Sequence, residues 1–202
     1  AVIPESYQKI DNFYTSTIYT KGSEVLRMLE DIIGRDKIDL GVSRYLQKYD
    51  GKSVTINEFL EVMAEVSGLN LAGFKRWYWQ VGTPLVRLKS AYDSERQVLL
   101  LTAEQQACRE DFQKKYQAVL MPIRCRLWSE SGKILRPTNV QGGRMLPDGS
   151  WVVVLSESQM QFVIEGVTQE PILSSFIGLS APVVHRDDLS LGQRASLMAY
   201  ET

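Results

Sequence analysis

The sequence predicts an α+β chain in which helices fill the first part and an antiparallel β-sandwich follows. Three observations carry this expectation. Apolar residues recur at three- and four-residue steps as far as Val81, the spacing of one helix face. Beyond Pro84 the spacing falls to two, that of a half-buried strand. Turn residues then punctuate the strand-like runs at short intervals with no helical stretch between them, which argues for packed antiparallel strands.

The first helix is marked by Val25, Leu26, Met28, Leu29, Ile32 and Ile33, with Gly34 where a left-handed residue ends a helix. A second follows at once through Ile38, Val42, Tyr45, Leu46 and Tyr49, and Asp50-Gly51 closes it with a turn. Thr55-Ile56-Asn57-Glu58 matches a capping box, in which hydroxyl and carboxylate satisfy unpaired amides at a helix start. Phe59, Leu60, Met63 and Val66 give that third helix its buried face, and Gly68 ends it. A shorter fourth helix carries Phe74, Trp77, Tyr78 and Val81 until Gly82-Thr83-Pro84 stops it, because proline cannot continue a helix. The cluster Trp77-Tyr78-Trp79 is expected at the apolar seam between the halves.

Strands are expected at Val86 and Leu88, Val98 to Leu101, Ile123 to Trp128, Trp151 to Leu155, Gln161 to Ile164 and Ile172 to Gly178. Tyr92-Asp93-Ser94, Glu130-Ser131-Gly132-Lys133, Pro147-Asp148-Gly149 and Glu165-Gly166 supply the turns. Glu104 to Gln117 is polar, charged and aperiodic, and is expected to be a long loop. After Pro182 the sequence turns polar, and Leu189 to Met198 opens a further helix.

Composition excludes several classes. At 44% hydrophobic and 23% charged the chain is neither a disordered tract nor, with apolar runs only of strand length, a membrane-spanning one. Its 23 basic and 24 acidic residues leave a net charge of -1, which gives no field for nucleic acid or anionic lipid. Cys108 and Cys125 lack C-x-x-C spacing, so a reducing compartment is the simpler expectation, with one disulfide between them the alternative. The start Ala1-Val2-Ile3-Pro4 has no basic stretch leading into an apolar one, so a cytoplasmic location is expected. The missing initiator methionine suits a segment of a longer polypeptide as well as a processed protein.

One block is more specific than the rest. Asn12-Phe13-Tyr14, Tyr19-Thr20-Lys21-Gly22 and Glu24-Val25-Leu26-Arg27-Met28-Leu29 together resemble the segment of the aminopeptidase N family of zinc peptidases that lies downstream of its zinc-binding helix. Lys75-Arg76-Trp77-Tyr78 with Gln80, Gly82, Thr83 and Pro84 is similar to that family's exit from a thermolysin-like catalytic domain. The strand-rich part is similar to the small β-sandwich that comes next, and Leu189 to Tyr200 to the opening of a C-terminal helical domain. The resemblance thus implies three parts: residues 1–83, the helical end of the catalytic domain; 84–184, the β-sandwich; and 185–202, the truncated start of the helical domain.

In that family zinc polarises the scissile carbonyl and, with a glutamate base, activates a water. A tyrosine hydroxyl donates a hydrogen bond to the oxyanion that develops, an interaction stronger in the transition state than in the bound substrate. The resemblance assigns this role to Tyr19, and to Tyr14 a place in the pocket for the substrate's first side chain. Read from the residues alone, Tyr19 could instead pack at a helix start with its hydroxyl on a carbonyl, and Phe13 and Tyr14 could both be core. Lys21 is expected to fix the helix start through a carboxylate or carbonyl, and Gly22 to permit close backbone packing.

His185 is the only histidine, so the paired histidines of H-E-x-x-H are not in this sequence, and no metal ligand is expected among these residues. His185-Arg186-Asp187-Asp188 lacks the spacing of a nucleophile, base and orienter, and Glu58 with Glu61 is explained by the capping box. Asp148-Gly149-Ser150 is a hairpin turn without calcium-loop ligands, and Gln141-Gly142-Gly143-Arg144 lacks the Lys-Ser/Thr of a phosphate cradle. The expectation is a fragment of a zinc-dependent aminopeptidase, inactive alone, whose parent acts on peptides and whose partners are the remaining domains of the same polypeptide. The competing expectation is a non-catalytic interaction or scaffold module, which should present a polar surface on every face.

Overall fold

The computed structural model describes residues 2, 3, 9, 15 and 17–201. A π-helical turn, Thr17–Lys21, runs into α1 (Gly22–Ile33), followed by α2 (Arg35–Tyr49), α3 (Ile56–Ser67) and α4 (Ala72–Trp79). The strands are β1 (Pro84–Asp93), β2 (Val98–Ala107), β3 (Met121–Trp128), β4 (Ile134–Leu135), β5 (Asn139–Val140), β6 (Arg144–Met145), β7 (Trp151–Leu155), β8 (Gln159–Glu165), β9 (Ile172–Ser175) and β10 (Val184–Arg186). A short α5 (Glu110–Gln113) interrupts them, and α6 (Leu191–Tyr200) ends the chain. The fold is α+β, with helices first and strands after.

The expected helices are all present, but α4 ends at Trp79, where Gln80 turns extended, so the expected stripe member Val81 lies beyond the helix and is exposed; two further differences fall at glycines. Gly34 has φ 89° and ψ 152°, a glycine-only region outside the left-handed helical well, because α2 starts at the very next residue and the chain must turn within one position. Gly41 is the buried residue of α2: a β-carbon there would lie 2.4 Å from Met63 Sδ of α3. The α2 face toward α3 therefore runs through Ile38, Gly41, Tyr45 and Tyr49, and the expected stripe members Val42 and Leu46 are exposed. The capping box of α3 forms as read, with Thr55 N donating to Glu58 Oε2 at 2.7 Å, and left-handed Gly68 closes the helix.

One sheet has the order β10-β1-β2-β8-β5; in the other β6 pairs with β7, β7 with β3, and β3 also with β4 and β9. All pairs are antiparallel except β1 with β10, which run parallel with Leu85 opposite Val184. The expected loop from Glu104 is instead a continuation of β2 to Ala107. The alternation persists there, but its buried position is Gln105, at 4% exposure. Its amide is fully used: Nε2 donates to Val119 O at 2.9 Å and Glu157 O at 2.8 Å, and Oε1 accepts from Val119 N and the Tyr116 hydroxyl. The expected strand from Ile172 stops at Ser175, because Phe176 adopts φ 54° and begins a turn. Cys108 is exposed, Cys125 is buried in β3, and both are free thiols.

Helices and sandwich share one apolar core. Val25, Met28, Leu29, Ile32 and Ile33 form the inner face of α1, which packs on β3 and β7. Trp77, 2% exposed, and Tyr78 lie at the junction as the sequence predicts, whereas Trp79 is exposed. Polar links reinforce it: Trp77 Nε1 donates to Leu120 O at 2.8 Å, Gln80 exchanges two hydrogen bonds with Gln117, and Arg76 donates to Ala118 O.

Ser190 and Gln193 form a second capping box at the start of α6. Its far end docks on the sandwich: Tyr200 OH donates to Glu130 O at 2.7 Å, and Trp128 Nε1 donates to Glu201 Oε1 at 2.7 Å. Arg126 lies 3.5 Å from Glu201 and also shares Asp148 with Arg124, at 2.8 and 2.9 Å. Burial alone would raise the Asp148 carboxyl, but hydrogen bonds from Ser150 and the charge of Arg124 outweigh it and bring the pKa down from 3.8 to about 2. A carboxylate depressed in the folded state stabilises above its unfolded pKa and loses that contribution as pH falls through the folded one. The stability lost by the protein between 3.8 and about 2 should therefore shrink in Asp148→Asn, as urea midpoints measured against pH would report; parallel acid limbs in the two proteins would refute the assignment.

Candidate active-site segment

Tyr19 stands in the π-helical turn that precedes α1. The turn opens with Thr15 O accepting from Ile18 N at 3.0 Å and Tyr19 N at 3.1 Å, so Tyr19 lies in the first turn of a continuous π-then-α helix. Single π turns cluster at functional sites because they rotate one side chain away from the regular helical path. The Tyr19 ring is 62% exposed, so it is not packed into the core at the helix start. Asp11, Asn12, Phe13 and Tyr14, with the proposed pocket contact at Tyr14, lie outside the described residues.

Two residues beyond Tyr19 the chain behaves differently from the sequence expectation. Lys21 directs its ammonium onto the Trp77 ring, 5.9 Å from the centroid, and burial lowers its pKa from the ordinary lysine value. Gly22 does not mark an obligatory close approach, since a β-carbon there would meet Val2 Cγ1 at an ordinary 3.7 Å.

The outer face of α1 continues downward from Tyr19. Ser23 Oγ donates to Thr20 O at 2.9 Å, and Arg27 donates to Glu24 Oε2 from Nε at 2.9 Å and Nη2 at 2.6 Å. Arg27 also donates to Leu179 O, which ties α1 to the turn after β9. That turn holds Phe176, Gly178 and Leu179 at φ 54°, 63° and 55°, and leaves the Leu179 side chain 77% exposed. The Glu24–Arg27 pair is a local i,i+3 contact of α1, whereas the tie to Leu179 depends on tertiary contact.

The weaker sequence candidates stay apart from this segment. His185 is on β10, its ring tilted against Phe176 with centroids 5.2 Å apart, and lies 3.9 Å from Asp187. Glu58 accepts from Thr55, which lowers its pKa through the capping hydrogen bonds. Among the described residues no group of three or more His, Cys, Asp or Glu side chains could hold a metal ion.

Comparison with known proteins agrees with the fold. A family model described as "Peptidase family M1 domain" matches residues 2–78, and one described as "Domain of unknown function (DUF3458) Ig-like fold" matches residues 82–188. Aminopeptidase N of Caulobacter vibrioides is 37% identical over 201 residues, spanning 100% of this chain and 22% of that protein. The chain belongs to the aminopeptidase N family. Aminopeptidase N of Escherichia coli is 32% identical over 180 residues, 89% of this chain and 20% of that protein. The chain thus spans about a fifth of the length of these aminopeptidase N relatives. The fold is also that of Legionella pneumophila aminopeptidase A, solved in complex with aspartic acid, with a TM-score of 0.83 over 100% of this chain and 21% of that one at 21% identity.

Proposed function

We propose that this chain is the part of a zinc-dependent aminopeptidase that supplies the transition-state tyrosine, and that the intact enzyme removes N-terminal residues from peptides in the cytoplasm. Residues 1–83 are the helical end of the catalytic domain and residues 84–184 the β-sandwich, whose last strand runs on to Arg186. Residues 185–202 begin a C-terminal helical domain. The observation that carries the reading is Tyr19, exposed in a π turn at the head of α1, in a chain of the aminopeptidase N family.

The chemistry assigned to this chain is hydrogen bonding, not metal binding. As the tetrahedral intermediate forms, the scissile carbonyl oxygen becomes an oxyanion, and the Tyr19 hydroxyl donates to it while keeping its proton. The gain is selective for the transition state because the bond strengthens as charge develops. The first-turn amides of the helix add positive potential on the same side. Tyr14 lines the pocket for the substrate's first side chain.

A zinc site does not fit the residues present: the sequence has one histidine, and the described residues offer no ligand cluster. The metal's ligands, the base and the groups that hold the substrate's amine then belong to the rest of the polypeptide. The test compares this chain with the full-length polypeptide after dialysis, by metal analysis and hydrolysis of aminoacyl p-nitroanilides. The full-length protein should hold zinc and turn over substrate, and the chain should do neither; one tightly held zinc per chain would overturn the assignment.

A further inference from the structure

We propose that Lys21 is a positioning residue for Tyr19, anchoring the π turn to the β-sandwich by lodging its ammonium against the Trp77 indole. This inference rests on the catalytic reading of Tyr19 and extends it to a residue that touches no substrate.

The argument starts from geometry. Residues two apart on a helical turn point to roughly opposite sides, so an inward Lys21 turns Tyr19 outward. A surface lysine ordinarily keeps its head in water along an apolar stem. Here the ammonium goes inward, 5.9 Å from the Trp77 centroid, within the range over which the ring quadrupole attracts a cation. Lys21 is half-buried, and that burial lowers its pKa from the ordinary lysine value.

Trp77 is a firm anchor. It is 2% exposed, and its indole N–H is held by Leu120 O at 2.8 Å. Leu120 immediately precedes β3, the strand on which α1 also packs. The chain of contacts is therefore Tyr19 turn, Lys21, Trp77, Leu120 and sandwich. A π turn has a wider path than the α-helix it joins and is an uncommon local choice, so an external hold on it is physically useful. Removing the hold should leave substrate binding alone and degrade the aim of the Tyr19 hydroxyl. Misplacement of a catalytic group by about 1 Å can cost as much as ~10²-fold in rate.

The experiment is a double-mutant cycle in the full-length enzyme, with kcat referred to folded, zinc-loaded protein. Lys21→Met keeps the apolar stem and removes the charge; it should lower kcat by about tenfold with KM within about twofold. Lys21→Arg, which retains a cation for the indole, should recover kcat to within about threefold of the parent. In a Tyr19→Phe background Lys21→Met should cost less than about twofold, because its effect acts through the missing hydroxyl. An undiminished loss in that background, a change in KM alone, or no loss at all would overturn the proposal. Lys21→Gln provides the same cycle if Lys21→Met does not fold. Tyr19→Phe measured alone separates the two readings: a loss below about threefold removes Tyr19 from the chemistry and the role of Lys21 with it, whereas a large loss without coupling removes only Lys21.

Discussion

Replacing Tyr19 by phenylalanine in the full-length enzyme is expected to lower kcat by about 10²- to 10³-fold, the range found for loss of one oxyanion donor. The substitution deletes one hydroxyl from a residue that is 62% exposed, so it leaves no core cavity. KM should move little, because the donated bond is made chiefly when charge has developed. Zinc content should match the parent, since the sequence around Tyr19 contains no ligand set. Steady-state kinetics with an aminoacyl p-nitroanilide and metal analysis of the same preparations decide the matter. A loss confined to KM would make Tyr19 a binding residue, and a loss below about threefold would remove it from the reaction.

The largest effect on stability should come from Trp77→Ala. Truncating a fully buried tryptophan costs about 3–5 kcal/mol through lost transfer energy and the cavity left behind. Leu120 O would also lose its donor inside the seam, and Lys21 the ring on which it rests. Because helices and strands share one core, the variant should shift the whole urea transition to lower midpoint instead of releasing the helices first. Fluorescence and circular dichroism should then report coincident curves. A biphasic transition, or a loss below about 1 kcal/mol, would show that the junction contributes little.

Much of the fold was legible because local chemistry and tertiary structure agree. The capping box at Thr55 and the change of period beyond Pro84 each act within a few residues, and each appears where it was read, whereas α4 stops at Trp79, before the Gly82 to Pro84 signal. The misses share a cause. Gln105 occupies a core position because four partners brought from elsewhere satisfy its amide, and apolar periodicity cannot register a buried glutamine. Gly41 became the contact point of α2 because its missing side chain admits Met63, a fit that depends on α3. Strands of two or three residues, such as β5 and β10, are defined by their partners alone. Tyr19 was readable as a motif, but the tie between Lys21 and Trp77 joins residues far apart in sequence. The link from Arg27 to Leu179 spans 152 positions.

The parallel pairing of β1 with β10 also governs how the protein tolerates change. With Leu85 opposite Val184, the polypeptide enters the sandwich and begins its last strand side by side, at the end nearest the helices. Everything between those two points is, for the flanking parts, a closed excursion that returns to its origin. The turn of residues 94–97 caps the opposite end of β1 and β2. A peptide tag or a small domain grafted there would lengthen the excursion without moving either flank, which makes this turn the place where evolution or an engineer can add material while the tyrosine-bearing helix keeps its station.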